Sequence, residues 1–163
     1  MSRTLSFFRL LPALLVLLAG IASAAEEPVD LVVVFKGERT LYLYRDGMPI
    51  HSYPVALGDN PEGHKREEGD ERTPEGAYLI DWRNPESLFY KSLHISYPDS
   101  GDMREALRHD RNPGGNIMIH GQPSYDDEPR SGDWTDGCIA VSNEAMDRIW
   151  SLVPDDTRIH IYP

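Results

Sequence analysis

The stretch Thr135-Asp136-Gly137-Cys138-Ile139-Ala140-Val141-Ser142-Asn143 decides both the fold class and the chemistry of this chain. It holds the only cysteine of the 163 residues, 18 positions after the histidine of Ile119-His120-Gly121. Ser142 is a good helix N-cap, and Val141 and Met146 are spaced as a hydrophobic staple around it. Met146, Ile149, Trp150 and Val153 then keep a helical period until Pro154 stops it, so the cysteine lies a few residues before a predicted helix. Upstream, residues 116–120 read as a short apolar strand that delivers His120 at its end. The glycine beside it allows another backbone to approach closely.

Residues 1–25 read as a secretory signal peptide. Arg3 and Arg9 give a positive start, Leu10 to Ile21 an apolar run, and Ala22-Ser23-Ala24 a small-residue cleavage site, with cleavage near Ala24 or Ala25. A retained anchor is the competing reading, but the run is about 12 residues against the ~20 needed to span a bilayer, and Pro12 interrupts it. The mature chain, residues 26–163, is expected to be one exported, periplasmic domain with no membrane association once the leader is removed. An exported protein with one cysteine cannot close an internal disulfide. Its thiol is inert, bridged to another molecule, or kept for chemistry.

Charge narrows the partners. The chain carries 16 Lys+Arg against 27 Asp+Glu, a net charge of −11, and loss of Arg3 and Arg9 takes it to −13 (−11 − 2). Such a chain repels phosphate backbones, so nucleic acid is not an expected partner.

Residues 30–35, 40–44 and 49–57 are rich in Val, Leu, Ile and Tyr and are separated by Lys36-Gly37-Glu38-Arg39 and Arg45-Asp46-Gly47, as in an antiparallel meander. Residues 59–72 combine glycine, proline and many charges, and read as an exposed loop of functional size. Further strands are expected over 76–82, 93–97 and 158–162, with one helical turn within 84–92. A short helix is expected over 103–109, capped by Asp102 with Glu105 reaching back, and with Met103, Ala106 and Leu107 as its apolar stripe. The sum is a mainly β domain with two or three short helices.

A free thiol is only a few per cent thiolate at neutral pH, so a catalytic cysteine needs a base or a positive environment. His120 is the candidate base for Cys138. An imidazolium partner and amide dipoles lowering the thiol by two units would supply about 2.7 kcal/mol. Gly137 lets the backbone turn sharply before the nucleophile, so that successive N–H groups can face a developing oxyanion. Base, nucleophile and oxyanion donors together describe acyl transfer through a thioester. The bland alternatives are a buried structural thiol and satisfied polar histidines at His51, His64, His94, His109 and His160; His94 is retained as a candidate because its strand could pair near the site. No histidines show the spacing of a metal site, and the cysteine has no thiol companion, so no metal is expected.

These landmarks resemble the catalytic domain of the L,D-transpeptidase (YkuD-type) family. His120-Gly121, then Thr135, Gly137, Cys138, Ile139 and Asn143, follow its pattern, and Thr73-Pro74-Glu75-Gly76-Ala77-Tyr78 is similar to its Thr-Pro-x-Gly-x-aromatic segment. The likeness implies an antiparallel β-sandwich or barrel. It also implies attack by Cys138 on a peptidoglycan tetrapeptide stem after its third residue, with His120 taking the thiol proton and no cofactor. Two positions depart from the pattern: Asp136 stands where many members carry a second histidine, and Ala140 where they carry arginine. Losing that guanidinium removes a bidentate partner for a substrate carboxylate, so recognition would move to Lys65, Arg66, Arg72 or Arg111. Asp136 is expected to help orient His120, with Thr135, Gly121, His94, His64, Lys65 and Arg72 as the remaining binding or orienting candidates. Gly-Cys-Ile-Ala-Val and Gly63-His64-Lys65 look like the family's YafK-like branch, some of whose members detach murein-bound lipoprotein by hydrolysis. A hydrolase of stems or lipoprotein, and a catalytically silent wall-binding module, are the alternative functions.

Overall fold

The computed structural model describes residues 26–126 and 128–163, so the expected leader lies outside the described residues. The chain opens with an antiparallel meander, β1 (Leu31–Phe35), β2 (Thr40–Arg45) and β3 (Met48–Pro54). Asp46 and Gly47 join β2 to β3 with φ of 51° and 75°. Two consecutive positive φ values make a turn whose twist matches that of the flanking strands, which is why Asp-Gly sits there.

The remaining strands are β4 (Gly76–Asn84), β5 (Ser92–Ile95), β6 (Met118–His120), β7 (Ile139–Ala140) and β8 (Thr157–Tyr162). All eight form one sheet in the order β3-β2-β1-β8-β4-β5-β6-β7. The last strand of the chain thus inserts between β1 and β4. The sheet curls until its ends meet, for Ala56, just past β3, exchanges two backbone hydrogen bonds of 2.8 Å with Ala140 of β7. A second bridge joins Gly58 to Thr135. Alternation along β8 buries Ile159 and Ile161 against Leu41, Leu43 and Ile80. Helix α2 (Asn143–Leu152) adds Met146, Ile149 and Leu152 to the same core, and its N-cap is Ser142, whose hydroxyl accepts the Ala145 N–H.

The fold is mainly β with two helices among the described residues, and its sheet is mainly antiparallel, both as expected; β1 with β8 and β6 with β7 pair in parallel. Two local expectations are corrected. Residues 84–92 contain no helical turn; side-chain caps such as Asn84 Oδ1 accepting Glu86 N–H shape that connection as turns. Helix α1 (Ser100–Arg108) starts three residues early because Asp99, not Asp102, is the N-cap, with Asp102 closing the capping box at N3. Glu105 is instead paired with Arg108 and His109, and of the expected apolar stripe only Ala106 is buried. The 59–72 loop is exposed over most of its length, as expected, and is also tied down. Lys65 is buried within it and bonds Asp70 at 2.8 Å, while Asp70 also accepts the N–H groups of Arg66, Glu67 and Arg72.

Lys36 locks this loop to the sheet. Its ammonium is buried and donates to Gly63 O (2.6 Å), Thr73 O (2.9 Å) and Glu75 Oε1 (2.9 Å). Breaking such a pair leaves a carboxylate and two carbonyls without their donor. Lys36→Met is expected to destabilise the domain by about 3 kcal/mol, read as a lower urea midpoint at unchanged slope.

Candidate active site

Strands β6 and β7 pair in parallel with Ile119 opposite Ile139 and His120 opposite Ala140. Ile119 and Ile139 are fully buried in the core. Side chains alternate along a strand, so Met118, His120 and Cys138, which just precedes β7, turn to the other face. Cys138 and His120 accordingly line one cavity of about 480 Å³. Phe89, Asn116, Met118, Trp134 and Asp136 contribute to its walls.

The sulfur is held as a thiol. It accepts the Met118 N–H at 3.4 Å and donates toward Asn116 O at 3.6 Å. His120 is 3% exposed, its ring 4.7 Å from that of Phe89 and edge-on to Trp134 at 5.6 Å. Its Nδ1 lies 2.7 Å from Gly121 O. A carbonyl can only accept, so Nδ1 carries the proton and Nε2 keeps a free lone pair. Burial pushes the imidazole below its ordinary range, partly offset by the Gly121 carbonyl. Burial likewise pushes the Cys138 thiol up; the Met118 N–H and the Lys65 charge favour the thiolate, and the Asp136 charge opposes it. Both shifts favour the neutral thiol and the neutral imidazole over an ion pair.

The loop before the nucleophile is fixed by Thr135, which is buried. Its hydroxyl donates to Cys138 O at 2.7 Å and accepts the Gly137 N–H at 3.2 Å. Gly137 has φ of +124°, and a Cβ there would stand 2.5 Å from Arg72 O. Gly121 is equally constrained, since a Cβ would fall 2.4 Å from Asn143 Oδ1. That Asn143 oxygen accepts the Gln122 N–H at 2.8 Å and so ties the start of α2 to the turn after His120.

Several candidates stand elsewhere. Asp136 lines the cavity and its charge opposes ionisation of the sulfur, while the acceptor bonded to His120 Nδ1 is Gly121 O. His94 is one register step away, opposite Met118, stacked on Trp82 at 4.8 Å and bonded to Asp81 at 2.6 Å. His64 accepts the Glu75 N–H and faces Asp102 at 3.1 Å in a different cavity. Lys65 is held by Asp70, and Arg66, Arg72 and Arg111 line a third cavity that touches neither Cys138 nor His120. Arg72 meets the site through its carbonyl alone, against Gly137. Ala140 is buried, its backbone bonded to that of Ala56, and no guanidinium comes from this position of β7. The aromatic walls went unread. Trp134 directly precedes Thr135 and could have been noticed, whereas Phe89 arrives from the β4–β5 connection, a tertiary effect. Among the described residues, no group of three or more His, Cys, Asp or Glu side chains could hold a metal ion.

Residues 29–161 match the YkuD family, the L,D-transpeptidase catalytic domain. The chain belongs to this family. It is 29% identical over 146 residues to YafK of Escherichia coli (strain K12), covering 81% of this chain and 53% of that one. Among solved structures, the helical cell shape determining protein Pgp2 of Campylobacter jejuni aligns with a TM-score of 0.65 at 26% identity, over 83% of this chain and 48% of that one. Bd1075 of Bdellovibrio bacteriovorus aligns with a TM-score of 0.59 at 26% identity, over 83% and 48%. The chain thus spans about half the length of these relatives. The L,D-transpeptidase of Xylanimonas cellulosilytica, at 16% identity and a TM-score of 0.54, shares the fold.

Two outcomes follow from this geometry. Gly137→Ala combines positive φ with the clash on Arg72 O; it is expected to cost more than about 1 kcal/mol in thermal unfolding and to displace the thiol enough to slow its alkylation. In the wild type, alkylation by iodoacetamide is expected to be slow at pH 6 and to rise beyond pH 9, the ordinary value from which burial raises the thiol. A fast plateau at pH 6 would establish an ion pair instead.

Proposed function

We propose that this domain catalyses acyl transfer on peptidoglycan tetrapeptide stems, with Cys138 as nucleophile and His120 as base. The observation that carries this is the Nδ1–H bond to Gly121 O, which leaves Nε2 basic in the cavity that also holds the sulfur. Sγ attacks the amide carbonyl after the third stem residue while Nε2 accepts the S–H proton. The Gly137 N–H is already bonded to Thr135, which leaves the Cys138 N–H as the oxyanion donor in this loop. The imidazolium then gives its proton to the departing amine of the terminal D-alanine, and the C–N bond breaks to leave a thioester on Cys138. An acceptor amine, deprotonated by the same imidazole, yields a cross-link, and water yields the shortened stem; where the amine on the third residue belongs to murein lipoprotein, that protein is the leaving group of the first step in place of D-alanine.

The aromatic walls favour this chemistry because a neutral imidazole between Phe89 and Trp134 accepts a proton without first losing one to solvent. Export of residues 1–25 would put the domain in the periplasm with its substrate. No helix among the described residues is long and apolar enough to cross a membrane.

Incubation with tetrapeptide stems and with lipoprotein-bearing sacculi, followed by mass analysis, is expected to give loss of D-alanine or release of lipoprotein. New dimers mark transfer, and free shortened products mark hydrolysis. Cys138→Ala should abolish both, and His120→Gln should lower kcat by roughly a hundredfold or more. Turnover surviving in Cys138→Ala would overturn the assignment.

A further inference from the structure

We propose that Arg130 is the substrate-binding residue that selects an acyl donor carrying a free carboxylate next to the bond under attack. The inference rests on the acyl-transfer reading and names what the site recognises. Arg130 lines the Cys138 cavity and also an adjoining one of about 310 Å³, so it stands on the ridge between them. Its guanidinium carbon lies 5.0 Å from the Trp134 ring centroid and 6.0 Å from that of Tyr125. Trp134 in turn meets His120 edge-on, so a single indole carries both the cation and the base. Stacking engages the face of a guanidinium and leaves its N–H donors pointing outward in the plane, the geometry that receives a carboxylate bidentately. The Arg130 backbone is anchored as well, its N–H donating to Gln122 Oε1 at 2.9 Å.

Neighbouring charges reinforce this assignment. Arg39 lines the same adjoining cavity, but its guanidinium is engaged with both oxygens of Asp133 at 2.8 to 3.2 Å. Asp136 lines the Cys138 cavity too and stands near enough to the sulfur to oppose its ionisation. A substrate carboxylate is therefore repelled from the Asp136 side and drawn to Arg130, which orients the stem across the thiol. The chemical class is a peptide whose leaving residue ends in a carboxylate, as the terminal D-alanine of a tetrapeptide stem does.

Binding to Cys138→Ala protein, measured by calorimetry, separates recognition from turnover. The tetrapeptide acid is expected to bind roughly tenfold tighter than its C-terminal amide, with the gap narrowing at high salt. Adding Arg130→Gln should erase the gap, and Arg130→Lys should restore part of it. In otherwise wild-type protein, Arg130→Gln should raise KM for the acid and leave KM for the amide unchanged. A preference for the acid that survives Arg130→Gln, or no binding and no preference at all, overturns the proposal. Preserved acid-selective binding in a protein that turns over no stem would sink the acyl-transfer reading and leave Arg130 as a carboxylate-binding residue.

Discussion

Ala56 and Ala140 exchange two backbone hydrogen bonds, and the position of Cys138 depends on them. A two-residue strand has no stability of its own. β7 persists because β6 pairs with it on one side and Ala56 on the other, while the bridge from Gly58 to Thr135 extends the seam toward the cysteine. The carboxylate of Asp133 reinforces it by accepting the Leu57 N–H while gripping Arg39, and Leu57 O accepts the N–H groups of both Trp134 and Thr135. Once this seam is formed, parallel register fixes Cys138 beside Met118, with His120 one step along. Sheet closure and catalytic geometry are the same set of hydrogen bonds.

That placement also determines the electrostatics. Both groups are driven toward neutrality by burial, and the Met118 N–H and the distant Lys65 charge only offset part of the effect on sulfur. The imidazole is kept from protonating down to acidic pH, which has a consequence for stability. The unfolded chain takes up a proton near pH 6.5, whereas the folded one resists until lower pH. The His120 contribution is thus fully present above pH 6.5 and is lost as pH falls from there through the lowered folded value.

What the sequence shows of this arrangement follows the range of the interactions. The β1–β3 meander, the Asp46-Gly47 turn, and α2 with its Ser142 cap are written in patterns of ten residues or fewer, and the strand ending at His120 is legible for the same reason. The seam is not, because it joins residue 56 to residue 140. The α1 cap was misplaced by one turn because Asp99 and Asp102 are both competent caps, and only the Asp99–Asp102 pair closes the box. His64, His94 and Lys65 look like site residues by type, and each is claimed by an aspartate that pattern reading cannot supply: Asp102, Asp81 and Asp70. Arg130 and Phe89 were missed for the converse reason, since nothing local distinguishes a loop arginine or an isolated aromatic until another element packs beside it.

Two segments that meet the Cys138 turn are built differently, and this divides their labour. The 59–72 loop is locked by a buried ammonium from Lys36 and by the Lys65–Asp70 pair, and its end presents only a backbone carbonyl, that of Arg72, to the nucleophile turn. Such a segment backs Gly137 but contributes no side chain to the Cys138 cavity. The segment from Gln122 to Asp133 is pinned at its ends, by Gln122 to the Val141 carbonyl and by Asp133 to Arg39, and carries Tyr125 and Arg130 between them. Aromatic faces and a guanidinium exposed at the cavity rim are what recognition of a charged peptide requires. Changes in that segment are therefore expected to alter what the cavity binds while leaving the seam, and with it the placement of Cys138 and His120, intact.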